Sequence, residues 1–342
     1  GSMAYIQDGC LVVGISARAL FDMDLENNIF EKEGLEAYRA YQIAHEEEVL
    51  RPGPCFSLIR SLLEIDRPLR GKKRVEVILM SHNDADVSLR LFRSIEHYGL
   101  SVARAVFSGG STLVPYLQAF GADLFLSANE TEVCRALECG IAGGIVCTDS
   151  AADYGEATEP GPIRIAFDGD AVLFSDEAEE VFRRQGLAAF EESERRRARC
   201  PLKDGPLANF LRVISSLQRE LAGTDTPIRT ALVTARCAPA HERVVRTLRG
   251  WGVRIDESFF LGGLSKKEVL RAFGAQIFFD DQEVHLKAVS EVVPAARVPV
   301  AERVLTGQTQ DDWSECNGVQ SDHSGPFFKQ AQSIYRAGRN TA

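Results

Sequence analysis

The chain has 342 residues, 45% of them hydrophobic and 26% charged, with a formal net charge of −10. That length holds two domains of ordinary size, and the composition is that of a globular protein. The acidic balance, without a basic stripe, argues against nucleic acid as a partner. No apolar run nears the roughly 20 residues of a membrane span, and the first residues show no basic-then-apolar leader, so no membrane partner is expected.

In chain order, residues 10–15 form an apolar run suited to a buried strand, and 17–24 read as a loop or turn. Residues 31–49 are polar and helical in period. A strand at 75–80 precedes an amphipathic helix at 85–97 closed by Gly99, and a strand at 103–107 ends at Gly109-Gly110. A helix at 112–120, a strand at 124–126 and the helix Glu130–Glu138 follow. Strands alternating with helices in this way predict a parallel sheet with helices on both faces.

Residues 149–162 are rich in small, acidic and turn residues, including Pro160-Gly161-Pro162, and mark a boundary. Beyond it the order repeats, with strands at 163–167, 229–233, 258–261 and 276–279 and helices at 239–249, 266–273 and 284–292. Each half carries an insert of mainly helical character between its first two strands. The expected organisation is a first domain over 5–150, a second over 160–300 with its insert at about 178–228, and a polar tail over 301–342. In the insert, the Arg195-Arg196-Arg197 run among glutamates reads as a solvated helix face.

The duplication is visible residue by residue. At an offset of 153, Leu79, Gly99, Phe107, Gly109, Gly110, Leu117, Phe120, Gly121 and Phe125 meet Leu232, Gly252, Phe260, Gly262, Gly263, Leu270, Phe273, Gly274 and Phe278 without a gap. In the inserts, Gly34 and Gly53 resemble Gly186 and Gly205 at an offset of 152. A period this long signals duplicated domains rather than a solenoid. The acids are not duplicated. Ile15 and Ala17 stand opposite Asp168 and Asp170, and Ser127-Ala128 opposite Asp280-Asp281.

Those acids end strands. The strand at 163–167 runs into Asp168-Gly169-Asp170, that at 229–233 into Thr234-Ala235-Arg236, and that at 276–279 into Asp280-Asp281. Ligands of open parallel sheets bind beyond the carboxyl ends of the strands, so these tails should converge, with Lys266 joining from the next helix start. Four carboxylates in one space repel unless a cation offsets them, and a hard divalent ion with oxygen ligands, Mg2+ above all, resolves the conflict. A carboxylate can serve as a nucleophile and a neighbouring one as acid and base, while Thr234 and Lys266 suit a phosphoryl group. The eight cysteines contain no CxxC pair and lie in apolar or helical stretches, which points to reduced core thiols and a cytoplasmic setting.

The same residues carry a resemblance. Phe167-Asp168-Gly169-Asp170-Ala171-Val172 resembles the first motif of the haloacid dehalogenase-like phosphatases, Leu232-Val233-Thr234 the second, Lys266 the third and Phe278-Phe279-Asp280-Asp281 the fourth. More narrowly, the span from about Val12 to Pro299 is similar to the cytosolic 5'-nucleotidase I family, with Ser16-Ala17-Arg18-Ala19-Leu20-Phe21-Asp22-Met23 as a further hallmark.

The resemblance implies an α/β fold of two tandem haloacid dehalogenase-like, Rossmann-like units, the first catalytically degenerate. It implies Mg2+-dependent hydrolysis of nucleoside 5'-monophosphates such as AMP. By position, Asp168 would be the nucleophile and a metal ligand. Asp170 would be the acid and base, ligating the ion through its carbonyl. Asp281 would hold the ion with Asp280 close by, and Thr234 and Lys266 would hold the phosphoryl group. Either Lys266 or Lys267 could reach; Lys266 matches the family position. Arg236, and Arg18 and Asn83 from the first half, are candidate substrate-binding residues. The first half reads as substrate cover or scaffold in preference to an effector site. An assembly such as a homo-oligomer is compatible with the resemblance. Rival readings are a phosphatase of another small phosphate metabolite and a nucleotide-binding regulator with little turnover.

Overall fold

The computed structural model describes residues 9–67, 72–149, 161–224 and 227–300. Most of the expected boundary segment and the whole expected tail lie outside the described residues. The strands are β1 (Leu11–Ser16), β2 (Phe21–Asp22), β3 (Arg51–Pro52), β4 (Val75–Ser81), β5 (Arg104–Phe107), β6 (Leu124–Ser127), β7 (Ala142–Val146), β8 (Ile163–Phe167), β9 (Ile228–Thr234), β10 (Glu257–Phe260), β11 (Ile277–Asp280) and β12 (Ala295–Arg297). Ten of them form one sheet in the order β10-β9-β8-β11-β12-β7-β6-β1-β4-β5, while β2 and β3 make a small antiparallel ribbon.

Every neighbouring pair in the large sheet is parallel except β12 with β7, where Ala296 faces Val146 and Arg297 faces Ile145. The order β5-β4-β1-β6-β7 thus recurs as β10-β9-β8-β11-β12, with the two runs meeting head to head. It follows that the first run's strands all point opposite to the second's. Their carboxyl ends open in opposite directions.

Alternation along the strands assigns their side chains to two faces. On one face Leu11, Val13 and Ile15 of β1 and Ile163, Ile165 and Phe167 of β8 share a single core with helices Phe56–Leu63 and Ala208–Glu220. On the other face the core is split. Val12, Ile78 and Phe125 pack under Leu117 and Val133, while Ala166, Val233 and Phe278 pack under Leu270 and Leu286. The shared core fastens the two runs together. Gln276 adds to it by donating from Nε2 to Ser57 and Ser61 Oγ at 3.1 and 3.0 Å.

Several local expectations are refined. Residues 17–24 are not a plain turn. Ser16 caps the short helix Ala17–Leu20, its Oγ accepting from Ala19 N, and β2 follows. The single helix expected at 31–49 is two, Asp24–Glu33 and Leu35–Ala44, because Gly34 takes φ +87°, a left-handed value that breaks the helix. Gly186 does the same in the second insert at φ +82°. The recurring Gly53 and Gly205 have another cause: a Cβ would lie 2.6 Å from Phe21 C and 2.5 Å from Phe174 O. Strands β7 and β12 were not expected at all. The described cysteines are all free, yet of these only Cys55 is buried, and Cys139, Cys200 and Cys237 are exposed.

Candidate active site

Three strand ends build the site. Asp168 follows β8 directly, its N–H bonded to Phe279 O at 2.8 Å. Thr234 closes β9 and Asp280 closes β11. Ala171, just beyond Asp170, adopts φ +61°, an uncommon value for a residue with a side chain, and turns the loop sharply after its second aspartate. Lys266 stands at the start of helix Lys267–Phe273 and enters from the side.

Lys266 Nζ lies 2.9 Å from Asp168 Oδ1 and 2.7 Å from Asp280 Oδ2, all three side chains being nearly or fully buried. Lys267 turns away and pairs with Glu291, which separates the two candidate lysines. Asp280 is saturated: beside Lys266 it accepts from Gln282 N at 2.9 Å, and His285 Nδ1 lies 3.2 Å from Oδ2. Asp281 is the opposite case. Its buried Oδ1 has no hydrogen-bond partner among the described residues.

The charges do not balance without a further cation. Oxygens of Asp168, Asp280 and Asp281 lie within 4.8 Å of one another, and Lys266 is the cation bonded among them. Burial pushes the Asp281 carboxyl up to about 9, with Asp280 and Asp168 adding to the rise. Burial also pushes Asp168 up to about 7, against the pull of Lys266. It acts on Asp280 as well, but the Lys266 ammonium and the His285 hydrogen bond outweigh it and hold that carboxyl below the usual range. An orphaned buried oxygen beside two more carboxylates is what a hard divalent cation requires. The residues fit such an ion, with Asp168 and Asp281 as its available carboxylates.

Arg236 departs from its expected role. It has no exposed surface; Nε and Nη2 grip Asp170 at 2.8 and 2.6 Å, and Nη1 reaches Glu194 at 2.6 Å. Its three nitrogens are engaged by Asp170 and Glu194 and fully buried, so it does not face substrate. Glu194 was missed by sequence reasoning. It lies in the arginine-rich stretch read as a solvated face, yet it is 2% exposed and bridges Arg236 to Arg243. The neighbouring Arg195 is exposed as expected.

Arg18 and Asn83 also need correction. They lie at the carboxyl ends of the first run, which open away from Asp168. Four strands lie between β1 and β8, making five inter-strand spacings of about 4.8 Å or roughly 24 Å, more than a nucleoside monophosphate spans. Neither residue is in place to bind a substrate at Asp168.

Parallel strands whose ends gather aspartates around a buried lysine define an α/β protein with an acidic, cation-demanding centre. The sequence model of the 5'-nucleotidase family matches residues 3–304, and the chain belongs to that family. Cytosolic 5'-nucleotidase 1B of Homo sapiens is 37% identical over 292 residues, covering 82% of this chain and 47% of the relative. The chain therefore spans about half the length of that relative. No solved structure matches it significantly.

Proposed function

We propose that the chain is a phosphoric monoester hydrolase, a Mg2+-dependent 5'-nucleotidase that converts nucleoside 5'-monophosphates such as AMP or IMP to nucleoside and phosphate. The observation that carries this reading is the Asp168, Asp280, Asp281 and Lys266 cluster, set in a chain of the 5'-nucleotidase family. The two strand runs are read as tandem haloacid dehalogenase-like units over 5–150 and 160–300, of which the second is catalytic. The relative's name places it in the cytosol, and a cytoplasmic location is assigned here with it.

In this mechanism an Asp168 oxygen attacks phosphorus in line with the ester oxygen. The P–O5' bond breaks as Asp170 passes its proton to O5', releasing the nucleoside and leaving an acyl phosphate on Asp168. Water then gives a proton to Asp170 and attacks phosphorus, which frees phosphate and restores the Asp168 carboxylate. Lys266 and the Thr234 hydroxyl hold the phosphoryl oxygens, and Arg236 keeps Asp170 in register. Asp168 and Asp281, with the Asp170 carbonyl and Asp280 close by, would hold Mg2+, whose positive charge would offset the negative charge of the phosphoryl oxygens.

The test is phosphate release from a panel of nucleoside 5'-monophosphates and sugar phosphates, with Mg2+ and with EDTA. EDTA-sensitive release from AMP or IMP supports the reading. Release from sugar phosphates alone overturns the substrate class, and no release from any of them overturns the activity.

A further inference from the structure

A cavity of about 490 Å3 opens at the carboxyl ends of β1, β4 and β6, in the run that lacks the acids. Ser16, Ser81, His82 and Ser127 form its floor, and Phe30, Leu35 and Tyr38 of the first insert form its wall. This is where an open parallel sheet receives a ligand, and the volume lies within the range of small-molecule sites. It is not the substrate site of the second run, since it faces the other way from a strand roughly 24 Å distant.

The chemistry of the floor decides what fits. At the offset of 153, Asp168, Asp170, Lys266, Asp280 and Asp281 correspond to Ile15, Ala17, Leu113, Ser127 and Ala128. Every acid and the lysine have been exchanged for uncharged side chains, while Thr234 corresponds to Ser81 and so keeps its hydroxyl. The floor offers a divalent ion no carboxylate, and a phosphoryl group has lost the lysine.

The charges that remain in the wall are engaged by the protein. Arg39 is held by Asp84 at 2.6 Å and Asp86 at 3.1 Å, and Glu26 by Arg90 at 2.6 Å. Arg18 is shared between Asp24 at 3.8 Å and Thr148 Oγ1 at 3.4 Å. Neutral hydrogen-bonding groups are plentiful: the Tyr38 hydroxyl accepts from Asn83 Nδ2 at 2.9 Å. The buried His82 Nε2 and Arg18 Nε have no partner among the described residues. Above them Phe30 and Leu35 stay 49% and 54% exposed, an apolar surface suited to a flat ring.

We infer that the first run carries a second ligand site, for an uncharged heteroaromatic molecule of nucleoside size. The ring lies against Phe30 and Leu35, and its polar edge meets His82, Arg18 Nε and the serine hydroxyls. The site is independent of the reaction assigned to the second run.

The experiment is calorimetric titration of full-length Asp168→Asn protein, which cannot turn substrate over, with adenosine in the presence of Mg2+ and excess inorganic phosphate. Phosphate occupies the second run's site and should leave adenosine binding intact. Phe30→Ala, at a half-exposed position, should weaken adenosine by about tenfold through loss of the ring contact. Leu35→Ala serves as a second variant should the first misfold, and phosphate release from AMP by each variant in the Asp168 background reports that the fold is kept. The inference is overturned if adenosine does not bind, if its affinity is indifferent to both variants, or if AMP binds the same place more tightly than adenosine. An active AMP hydrolase with Phe30-insensitive adenosine binding would sink this site and leave the proposed reaction standing.

Discussion

Glu194 and Arg236 meet at 2.6 Å with both side chains buried, and the pair ties the helical insert to the carboxyl end of β9. Glu194 accepts from Arg243 with its other oxygen, and Arg236 uses its remaining donors on Asp170. The orientation of Asp170 therefore depends on a residue in a different element. Glu194→Ala leaves two buried guanidinium groups short of a counter-charge, and breaking such a pair costs about 3 kcal/mol or more in stability. The milder Glu194→Gln should lower kcat between about 10- and 100-fold with little change in KM, because it misplaces the acid without touching substrate. Chemical denaturation and steady-state kinetics check the two effects; unchanged kcat in a folded Glu194→Gln protein would rule out the positioning role.

The two adjacent lysines should behave differently. Lys266→Met removes the cation that bridges Asp168 and Asp280, and kcat/KM should fall by about 100-fold or more. Lys267→Ala removes only a pair with Glu291 at the surface, and activity should stay within about twofold of wild type. The comparison is one assay of phosphate release on both variants.

Stability in EDTA should fall as pH rises. The folded Asp281 carboxyl titrates at about 9 against an ordinary value of 3.8, so the folded state holds that proton more tightly than the unfolded state. Stability then declines between about pH 4 and pH 9 and levels off above, since the unfolded chain ionises first. Asp168, also raised, acts in the same direction. Asp281→Asn should melt at a higher temperature than wild type in EDTA, by more at about pH 8 than at about pH 5. Mg2+ should reverse the ranking. Thermal melts at two pH values, with and without the ion, decide it.

Gly205→Ala should destabilise the protein by about 1–3 kcal/mol, because the added methyl meets backbone atoms that cannot rotate aside. Gly186→Ala instead meets open space and is opposed only by its backbone, φ +82° with ψ 179°, a region almost exclusive to glycine, so its cost of about 1–3 kcal/mol should come from the backbone alone. Equilibrium unfolding of the pair tests the distinction between a crowded glycine and a left-handed one.

Much of this was readable in the chain because the duplication repeats apolar strands and turn glycines at a constant offset, and strand ends declare themselves by aspartates. What escaped reading is the joint. β7 is Ala142-Gly143-Gly144-Ile145-Val146, whose glycines mask the strand pattern, and β12 is only three residues long. Gly144 is needed there because a Cβ would lie 2.9 Å from Ala296 Cβ across the joint, a constraint set by a strand far away in sequence. Glu194 escaped for a related reason. Its partners Arg236 and Arg243 lie beyond the local window, in which arginines and glutamates look like surface. The placing of Arg18 and Asn83 failed because offset alone says nothing about the relative direction of the two halves.

The joint between β7 and β12 has an ancestral consequence. The strands are equivalents of each other, and their antiparallel register is symmetric about its own midpoint, as two identical edges pair across a dyad. Two separate copies of one small enzyme, docked edge to edge, would make this sheet with an active centre in each subunit. Fusion into a single gene product would then release one centre from the need to catalyse. That centre could shed its aspartates without loss of the reaction, while its hollow stayed open to a different use.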